Sequence, residues 1–155
     1  TGFDRLTDTT LFPFSSAVVK KWVNDLSEKE PWKDHDFRWV IENLEGEFVG
    51  TANTHSCDPR NGTFEYGVAI QREHWRNGYA SEAINLILTH FFYELRYQKV
   101  NAQIYSFNEE SLHLHEKLGF QQEGRLRRMI YTLGTYHDTV IMGMTREEFG
   151  SSNDT

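Results

Sequence analysis

Residues 70–83 of the chain read Ile70-Gln71-Arg72-Glu73-His74-Trp75-Arg76-Asn77-Gly78-Tyr79-Ala80-Ser81-Glu82-Ala83. A predicted strand ends at Ile70, a polar turn follows, and an amphipathic helix begins directly after Gly78. The first N–H groups of a helix have no partner within it, and the helix dipole favours an anion there. Gly78 leaves room for a phosphate beside the main chain, and Arg76 adds a positive charge. The stretch therefore predicts a phosphate site, although an ordinary strand-to-helix connection would also explain these residues.

Upstream of this turn, three short runs have the alternating apolar pattern of β-strands. They cover residues 36–44, 47–57 and 63–71. The pair Asn61-Gly62 between the last two runs is a strong hairpin signal, and such short loops favour antiparallel pairing. Before these strands, a helical pattern follows Ser15-Ser16 and ends near Pro31.

Downstream of the turn, apolar residues recur at helical spacing from Ala80 to Leu95, which predicts one long helix packed on a sheet. Residues 100–107 predict a further strand. Asn108 can then cap a short helix that ends at Gly119.

The remaining sequence completes a mixed sheet. Residues 120–130 and 136–144 predict two strands joined by a hairpin through Gly134. The predicted fold class is α/β, with α+β character: a single mixed, mostly antiparallel sheet of six to seven strands flanked by helices. Residues 1–149 are predicted to form one domain and residues 150–155 a loose polar tail.

Composition limits the classes of function that the chain can have. A net charge of −7 argues against non-specific nucleic-acid binding and fits a cationic small molecule or peptide, although solubility alone would also explain it. The single cysteine, Cys57, excludes an internal disulfide and favours a reducing, cytoplasmic compartment. The sequence contains no apolar run of membrane-spanning length and no convincing metal-ligand spacing among its seven histidines, so neither a membrane nor a metal partner is expected.

The segment Arg76 to Ala83 strongly resembles the acetyl-CoA signature of the GCN5-related N-acetyltransferase (GNAT) superfamily, Gln/Arg-x-x-Gly-x-Gly/Ala. Trp75 stands where that signature has Gln or Arg; the branch similar to ribosomal-protein N-terminal acetyltransferases often carries an aromatic residue there. The resemblance implies the GNAT fold. It also implies that the main-chain amides from Arg76 to Ser81 hold the pyrophosphate of coenzyme A.

Residues 108–120 carry a second signature. They are similar to the GNAT pattern Asn-x-x-Ser followed by Tyr-Glu-Lys-Leu-Gly-Phe, with His115 in place of the Tyr. The resemblance implies that Asn108 and Ser111 lie beside the pantetheine arm and that His115 protonates the leaving thiolate. A capped surface helix explains the same residues. In that case His115 is solvated, and Ser111, Tyr105 or water protonates the thiolate.

A third stretch, residues 123–138, resembles the ends of RimJ/RimL-type and spermidine-type acetyltransferases. The resemblance implies an enzyme that uses acetyl-CoA to acetylate a primary amine directly: a polyamine, a protein N-terminus or another small amine. A catalytically inactive acyl-CoA sensor or scaffold of the same fold is the alternative, and a homodimer is left open. The residues predicted to bind acetyl-CoA are Val68, Ala69, Ile70, Arg76, Asn77, Gly78, Tyr79, Ala80, Ser81, Asn108 and Ser111.

Direct transfer requires a base for the ammonium group and a donor for the oxyanion. Glu65, on the strand that leads to the turn, is the first candidate base, and His137 and Asp138 are the alternatives. The resemblance implies that the oxyanion donor is a main-chain N–H between Gly67 and Ala69. Together with Glu65, the predicted catalytic residues are His115 and Ser111, whereas Cys57 is interpreted as a small strand residue.

Overall fold

The structure is a computed structural model, and it describes residues 35–153. Its strands are β1 (Arg38–Glu42), β2 (Phe48–Asp58), β3 (Thr63–Ile70), β4 (Lys99–Tyr105), β5 (Gln121–Thr132) and β6 (Thr135–Thr145). Its helices are α1 (Tyr79–Thr89), α2 (Glu109–Leu118) and α3 (Arg146–Asn153), with a 3₁₀ turn at Arg72–His74 and a π turn at His90–Glu94. The helical pattern predicted before Pro31 lies outside the described residues.

All six strands form one sheet in the order β1-β2-β3-β4-β6-β5. The pairs β1–β2, β2–β3, β4–β6 and β5–β6 are antiparallel, and β3–β4 in the centre is parallel. A parallel pair needs a long crossover, which here contains α1. The predicted mixed, mostly antiparallel sheet flanked by helices is confirmed.

Aromatic packing attaches α1 and the π turn to one face of the sheet. The ring of Phe64 on β3 stacks on Phe91 with centroids 4.2 Å apart, and Tyr97 lies edge-on to both. Phe92, also fully buried, packs beside them. These four rings form the centre of the core, so the helix that follows the predicted phosphate-binding turn has a fixed position against β3.

The helix predicted from Ala80 to Leu95 is observed as α1 followed directly by the π turn, which ends at Glu94, so only the geometry of its last turn differs from a regular α-helix. The α-helical pattern ends at Thr89, and the Leu95 N–H donates to the carbonyl of His90, five residues back, at 3.1 Å. Phe91 and Phe92 in this turn are both fully buried, in agreement with the apolar spacing of the sequence.

The loose tail predicted from residue 150 is also corrected, because α3 continues to Asn153. Thr145 and Glu148 form a capping box: the Glu148 N–H donates to Thr145 Oγ1 at 3.3 Å, and Glu148 Oε1 accepts from the Thr145 N–H at 3.0 Å. Phe149 anchors the helix in the core with 2% exposure. Within residues 35–153, no helix combines the length and apolar character needed to cross a bilayer.

Candidate active site

A cleft opens where the contact between β3 and β4 ends. In the described part of the chain, the paired positions run only from Thr63–Lys99 to Glu65–Asn101. Beyond them the two strands border a cleft of about 1040 Å³. β2 occupies the other edge of β3, so the main-chain groups after Glu65 that point toward β4 are available to a ligand.

The turn at the end of β3 is held by its own side chains. Trp75 Nε1 donates to the carbonyl of Ile70 at 2.8 Å, which ties the turn back to the strand. Asn77 Nδ2 donates to the carbonyl of His74 at 3.0 Å. The main chain has positive φ at Arg76 (67°) and Gly78 (80°), conformations that most side chains disfavour. The aromatic residue that departs from the signature therefore helps to shape the turn.

The start of α1 is open to the cleft. Its N-cap is Gly78, which has no side chain to accept a hydrogen bond from the first turn, and a Cβ at that position would meet no atom within 4 Å. The start of α2 differs, because Asn108 Oδ1 accepts from the Ser111 N–H at 3.2 Å and two carboxylates follow Asn108. Of the two helix ends beside the cleft, α1 is the one suited to an anion.

Arg76 lies between these two helix ends. Its guanidinium is 3.4 Å from Glu110 Oε1 in the first turn of α2. The Arg76 side chain is 85% exposed, so this ion pair contributes little to stability and leaves the guanidinium able to reach a phosphate.

The structure brings most of the predicted site residues to the cleft. Those that line it are Val68, Ala69, Ile70, Arg76, Gly78, Tyr79, Ala80, Ser81, Asn108, Ser111 and His115. Asn77 and Glu65 are not among the lining residues. Asn77 instead donates a hydrogen bond within the turn, and Glu65 contacts Gln103 and His55, which do line the cleft.

His115 is buried, with 5% exposure, so its interpretation as a solvated helix residue is wrong. Nδ1 is 2.7 Å from the carbonyl oxygen of Ser111, one turn earlier on the same helix face. Nε2 is 2.6 Å from the hydroxyl of Tyr66 on β3. A carbonyl only accepts, so Nδ1 carries the proton and Nε2 accepts from the Tyr66 O–H.

Burial determines the protonation states of His115 and Tyr66 at neutral pH. Burial lowers the pKa of His115, partly opposed by the hydrogen bond to the Ser111 carbonyl. Burial also raises the pKa of Tyr66 well above its usual value. The imidazole is therefore neutral and the phenol protonated. As bonded, Nε2 of His115 has no proton to give to a leaving group.

Glu65 is held by neighbours on both adjoining strands. Its Oε1 accepts from Gln103 Nε2 on β4 at 3.0 Å, and its Oε2 lies 3.5 Å from His55 Nδ1 on β2. Gln103 and His55 line the cleft, whereas the Glu65 side chain is 19% exposed. The carboxylate thus adjoins the cleft through its partners.

The alternative bases lie outside the cleft lining. Asp138 accepts from the Arg128 N–H at 2.8 Å and from Arg125 Nε at 2.6 Å. These hydrogen bonds lower the pKa of Asp138, first through the Arg128 N–H, which makes it a weaker base. His137 packs edge-on against Phe107 with ring centroids 4.7 Å apart.

Cys57 is not activated as a nucleophile. Burial, together with the smaller effect of the Asp36 carboxylate, raises the pKa of its thiol to about 11. The thiol is therefore protonated at neutral pH, as expected for a small strand residue. Within residues 35–153, no group of three or more His, Cys, Asp or Glu side chains is placed to hold a metal ion.

Sequence reasoning missed Tyr66 and His55 as parts of the site. Tyr66 falls on the apolar face of β3, and its signal was the phenol hydroxyl, which needs a partner when buried. His55 gave no such signal, because its position beside Glu65 depends on the pairing of β2 with β3.

Comparison with known proteins agrees with this architecture. The sequence profile of the acetyltransferase (GNAT) domain family matches residues 4–121. The chain is 44% identical over 154 residues to the SPbeta prophage-derived uncharacterized N-acetyltransferase YokL of Bacillus subtilis, covering 95% of this chain and 84% of that protein. It is 25% identical over 151 residues to spermidine N(1)-acetyltransferase of Escherichia coli K12, covering 91% of this chain and 81% of that enzyme.

A solved structure shares the fold. The spermidine N-acetyltransferase of Vibrio cholerae, crystallised with CoA and spermine, superimposes with a TM-score of 0.78 at 23% identity, covering 89% of this chain and 80% of that one. The cleft between diverging central strands and the open helix start beside it thus occur in a chain whose fold and sequence both match acetyltransferases. The protein belongs to the GNAT family and is an N-acetyltransferase.

Proposed function

We propose that the protein transfers the acetyl group of acetyl-CoA directly to a primary amine that is cationic before the reaction. The observation that carries this proposal is the cleft itself, which joins the unpaired edge of β3 to the open start of α1. The first feature suits an acyl group and its oxyanion, and the second suits a pyrophosphate.

For the CoA moiety, the supporting features are chemical. The uncapped N–H groups at the start of α1 and the space beside Gly78 fit a phosphate, and Arg76 supplies a mobile positive charge. Asn108 and Ser111 border the same cleft further along α2. In this assignment the acyl thioester lies beside the main chain of residues 67–69, where an N–H can stabilise the oxyanion, worth roughly 3 kcal/mol in comparable acyl transfers.

In the proposed reaction the ammonium group first loses a proton to a base on the Glu65 side of the sheet. The amine nitrogen then forms a bond with the thioester carbonyl carbon, and the C–S bond breaks as the oxyanion collapses. The thiol of CoA has an unperturbed pKa of about 8.5, so its thiolate is a fair leaving group. Because His115 has no proton to give at Nε2, we assign protonation of the sulfur to the second amine proton, carried by water.

The acceptor class rests on charge. The chain has a net charge of −7, and Glu65 adjoins the cleft through its contacts with His55 and Gln103. A polyamine or a basic peptide N-terminus fits this negative charge better than a neutral amine does. The E. coli relative is named for spermidine, which is one amine of this class.

The test is amine-dependent release of thiol from acetyl-CoA over a panel of polyamines, peptide N-termini and neutral amines. We expect turnover with the cationic members and a KM that rises with salt, because exposed charges are screened over about 10 Å at 0.1 M. Binding of acetyl-CoA without turnover of any amine would instead support a sensor or scaffold. Turnover restricted to neutral amines would contradict the acceptor class.

The CoA position has its own test with a matched control. Gly78→Val places a branched side chain in the space beside the start of α1, and Gly46→Val introduces the same backbone strain in the β1–β2 turn. Both glycines have φ of +80° and nothing within 4 Å of a built Cβ. We expect Gly78→Val to weaken acetyl-CoA binding at least tenfold, about 1.4 kcal/mol, relative to Gly46→Val. Equal affinities of the two folded variants would show that CoA binds elsewhere.

A further inference from the structure

Glu65 stands behind an imidazole that reaches the cleft. The pairing of β2 with β3 sets His55 directly across from Glu65. His55 borders the cleft and its side chain is 43% exposed, whereas Glu65 is 19% exposed and is not part of the cleft lining. A proton acceptor must come within hydrogen-bond reach of the amine, directly or through one water, and in this pair the imidazole is the better placed.

The contacts of the His55 ring determine which nitrogen faces the substrate. Nδ1 lies 3.5 Å from Glu65 Oε2 and 3.2 Å from Ser56 Oγ. Ser56 Oγ can donate or accept, whereas an ionised carboxylate only accepts, so the tautomer that satisfies both contacts carries its proton on Nδ1 and leaves the lone pair on Nε2. Gln103 donates to the other oxygen of Glu65 at 3.0 Å, which fixes the carboxylate from the β4 side.

We propose that His55 is the general base of the acetyl transfer and that Glu65 is a positioning residue that acts through it. This inference rests on the proposed function. The ammonium group gives one proton to His55 Nε2, and the imidazolium that forms is stabilised by the Glu65 carboxylate. The neutral amine then attacks the thioester, its second proton goes to the departing thiolate, and His55 returns its proton to solvent.

The arrangement follows the logic of a carboxylate that orients an imidazole and stabilises its charged form. The 3.5 Å separation is at the long end for such a contact, as is common before substrate binds. Two other charged residues lie on this face of the neighbouring strands: Arg38 of β1 pairs with Asn53, two residues before His55, and Lys99 of β4 pairs with Thr63, two residues before Glu65. Glu65 is therefore the carboxylate opposite His55 in the strand register.

The experiment compares His55→Gln, Glu65→Gln and the double variant in the full chain, by thiol release with the best amine of the panel. His90→Gln and Glu47→Gln are the matched controls, since both residues are exposed and neither borders the cleft. We expect His55→Gln to lower kcat/KM at least about 100-fold without weakening acetyl-CoA binding. Glu65→Gln should cost less, and in the His55→Gln background it should cost less than about 3-fold.

The pH profile separates the two candidate bases. If the imidazole is the base, the acidic fall of kcat/KM belongs to His55, and if the carboxylate is the base it belongs to Glu65. We expect this acidic fall to disappear in His55→Gln and to remain in Glu65→Gln, and we expect partial rescue of His55→Ala by added imidazole. His55→Gln activity within about 3-fold of wild type, or an undiminished cost of Glu65→Gln in the double variant, would overturn the inference. A wild type that turns over no amine would instead overturn the proposed function, and this inference with it.

Discussion

The buried pair of His115 and Tyr66 makes a quantitative prediction about stability and pH. Burial lowers the pKa of His115 in the folded protein, so between that pKa and about 6.5 the unfolded chain binds more protons than the folded one. The free energy of unfolding must therefore fall as the pH drops below about 6.5. The contribution of His115 is complete above that pH and is lost progressively below it.

The size of the effect follows from linkage. Each pH unit within this window changes the free energy of unfolding by up to about 1.4 kcal/mol for one group. For a chain of this size, 1 kcal/mol corresponds to about 2–4 °C in Tm. Half of the unfolded imidazole is already protonated at pH 6.5, so acidification from pH 6.5 to 5.5 accounts for at most about 1 kcal/mol and should lower the Tm of the wild type by up to about 2–4 °C more than that of His115→Gln.

The assay is thermal unfolding of both proteins at pH 7.5, 6.5 and 5.5. His115→Gln removes the titrating ring and keeps an acceptor that can face the Tyr66 hydroxyl, so any loss of packing lowers its Tm at every pH alike. All other histidines and carboxylates are common to the two proteins and cancel in the difference. Parallel Tm curves for the two proteins between pH 6.5 and 5.5 would refute the assignment of a neutral, buried His115.

Two further predictions concern the turn and the last helix. Trp75→Phe removes the indole N–H that donates to the Ile70 carbonyl. The affinity for acetyl-CoA, measured by calorimetric titration, should therefore fall about 3- to 10-fold, which corresponds to the loss of a typical hydrogen bond. Unchanged affinity would show that the aromatic ring alone shapes the turn. Thr145→Ala removes the cap of α3 and should lower the free energy of unfolding by about 1 kcal/mol in a urea titration, whereas Ser151→Ala on the exposed side should change it by less than about 0.5 kcal/mol. Equal effects of these two substitutions would contradict the capping role.

The strands, α1 and the turn before it could be predicted because local patterns encode them. The alternating apolar pattern predicts a strand that ends at Ile70, and the apolar spacing after Gly78 predicts a helix. The observed strand ends at Ile70, and the helix begins at Tyr79. The π turn could not be predicted, because it is stabilised by the stacking of Phe91 on Phe64, a contact between distant residues. The extent of α3 was predictable in principle from the Thr145–Glu148 spacing of its capping box.

The placement of His55 across from Glu65 could not be predicted from the sequence, because it depends on the register of β2 against β3. A two-residue turn at Asn61-Gly62 would pair His55 with Val68. The chain instead turns through four residues, with Asp58 across from Thr63, and the irregularity between His55 and Asp58 shifts the register by one further residue, so that His55 lies across from Glu65. A shift by an odd number of residues exchanges the two faces of a strand, and so decides which side chains meet.

Among the described residues, the two halves of the sheet, β1 to β3 and β4 to β6, are joined by only three paired positions. At the closed end of this seam, Phe64 of β3 stacks on Phe91 of the π turn, which belongs to the connection from β3 to β4. Widening the open end therefore breaks few main-chain hydrogen bonds, whereas bending either flanking ladder would break many. Within the described residues, the sheet is thus most easily deformed at the end where the cleft opens.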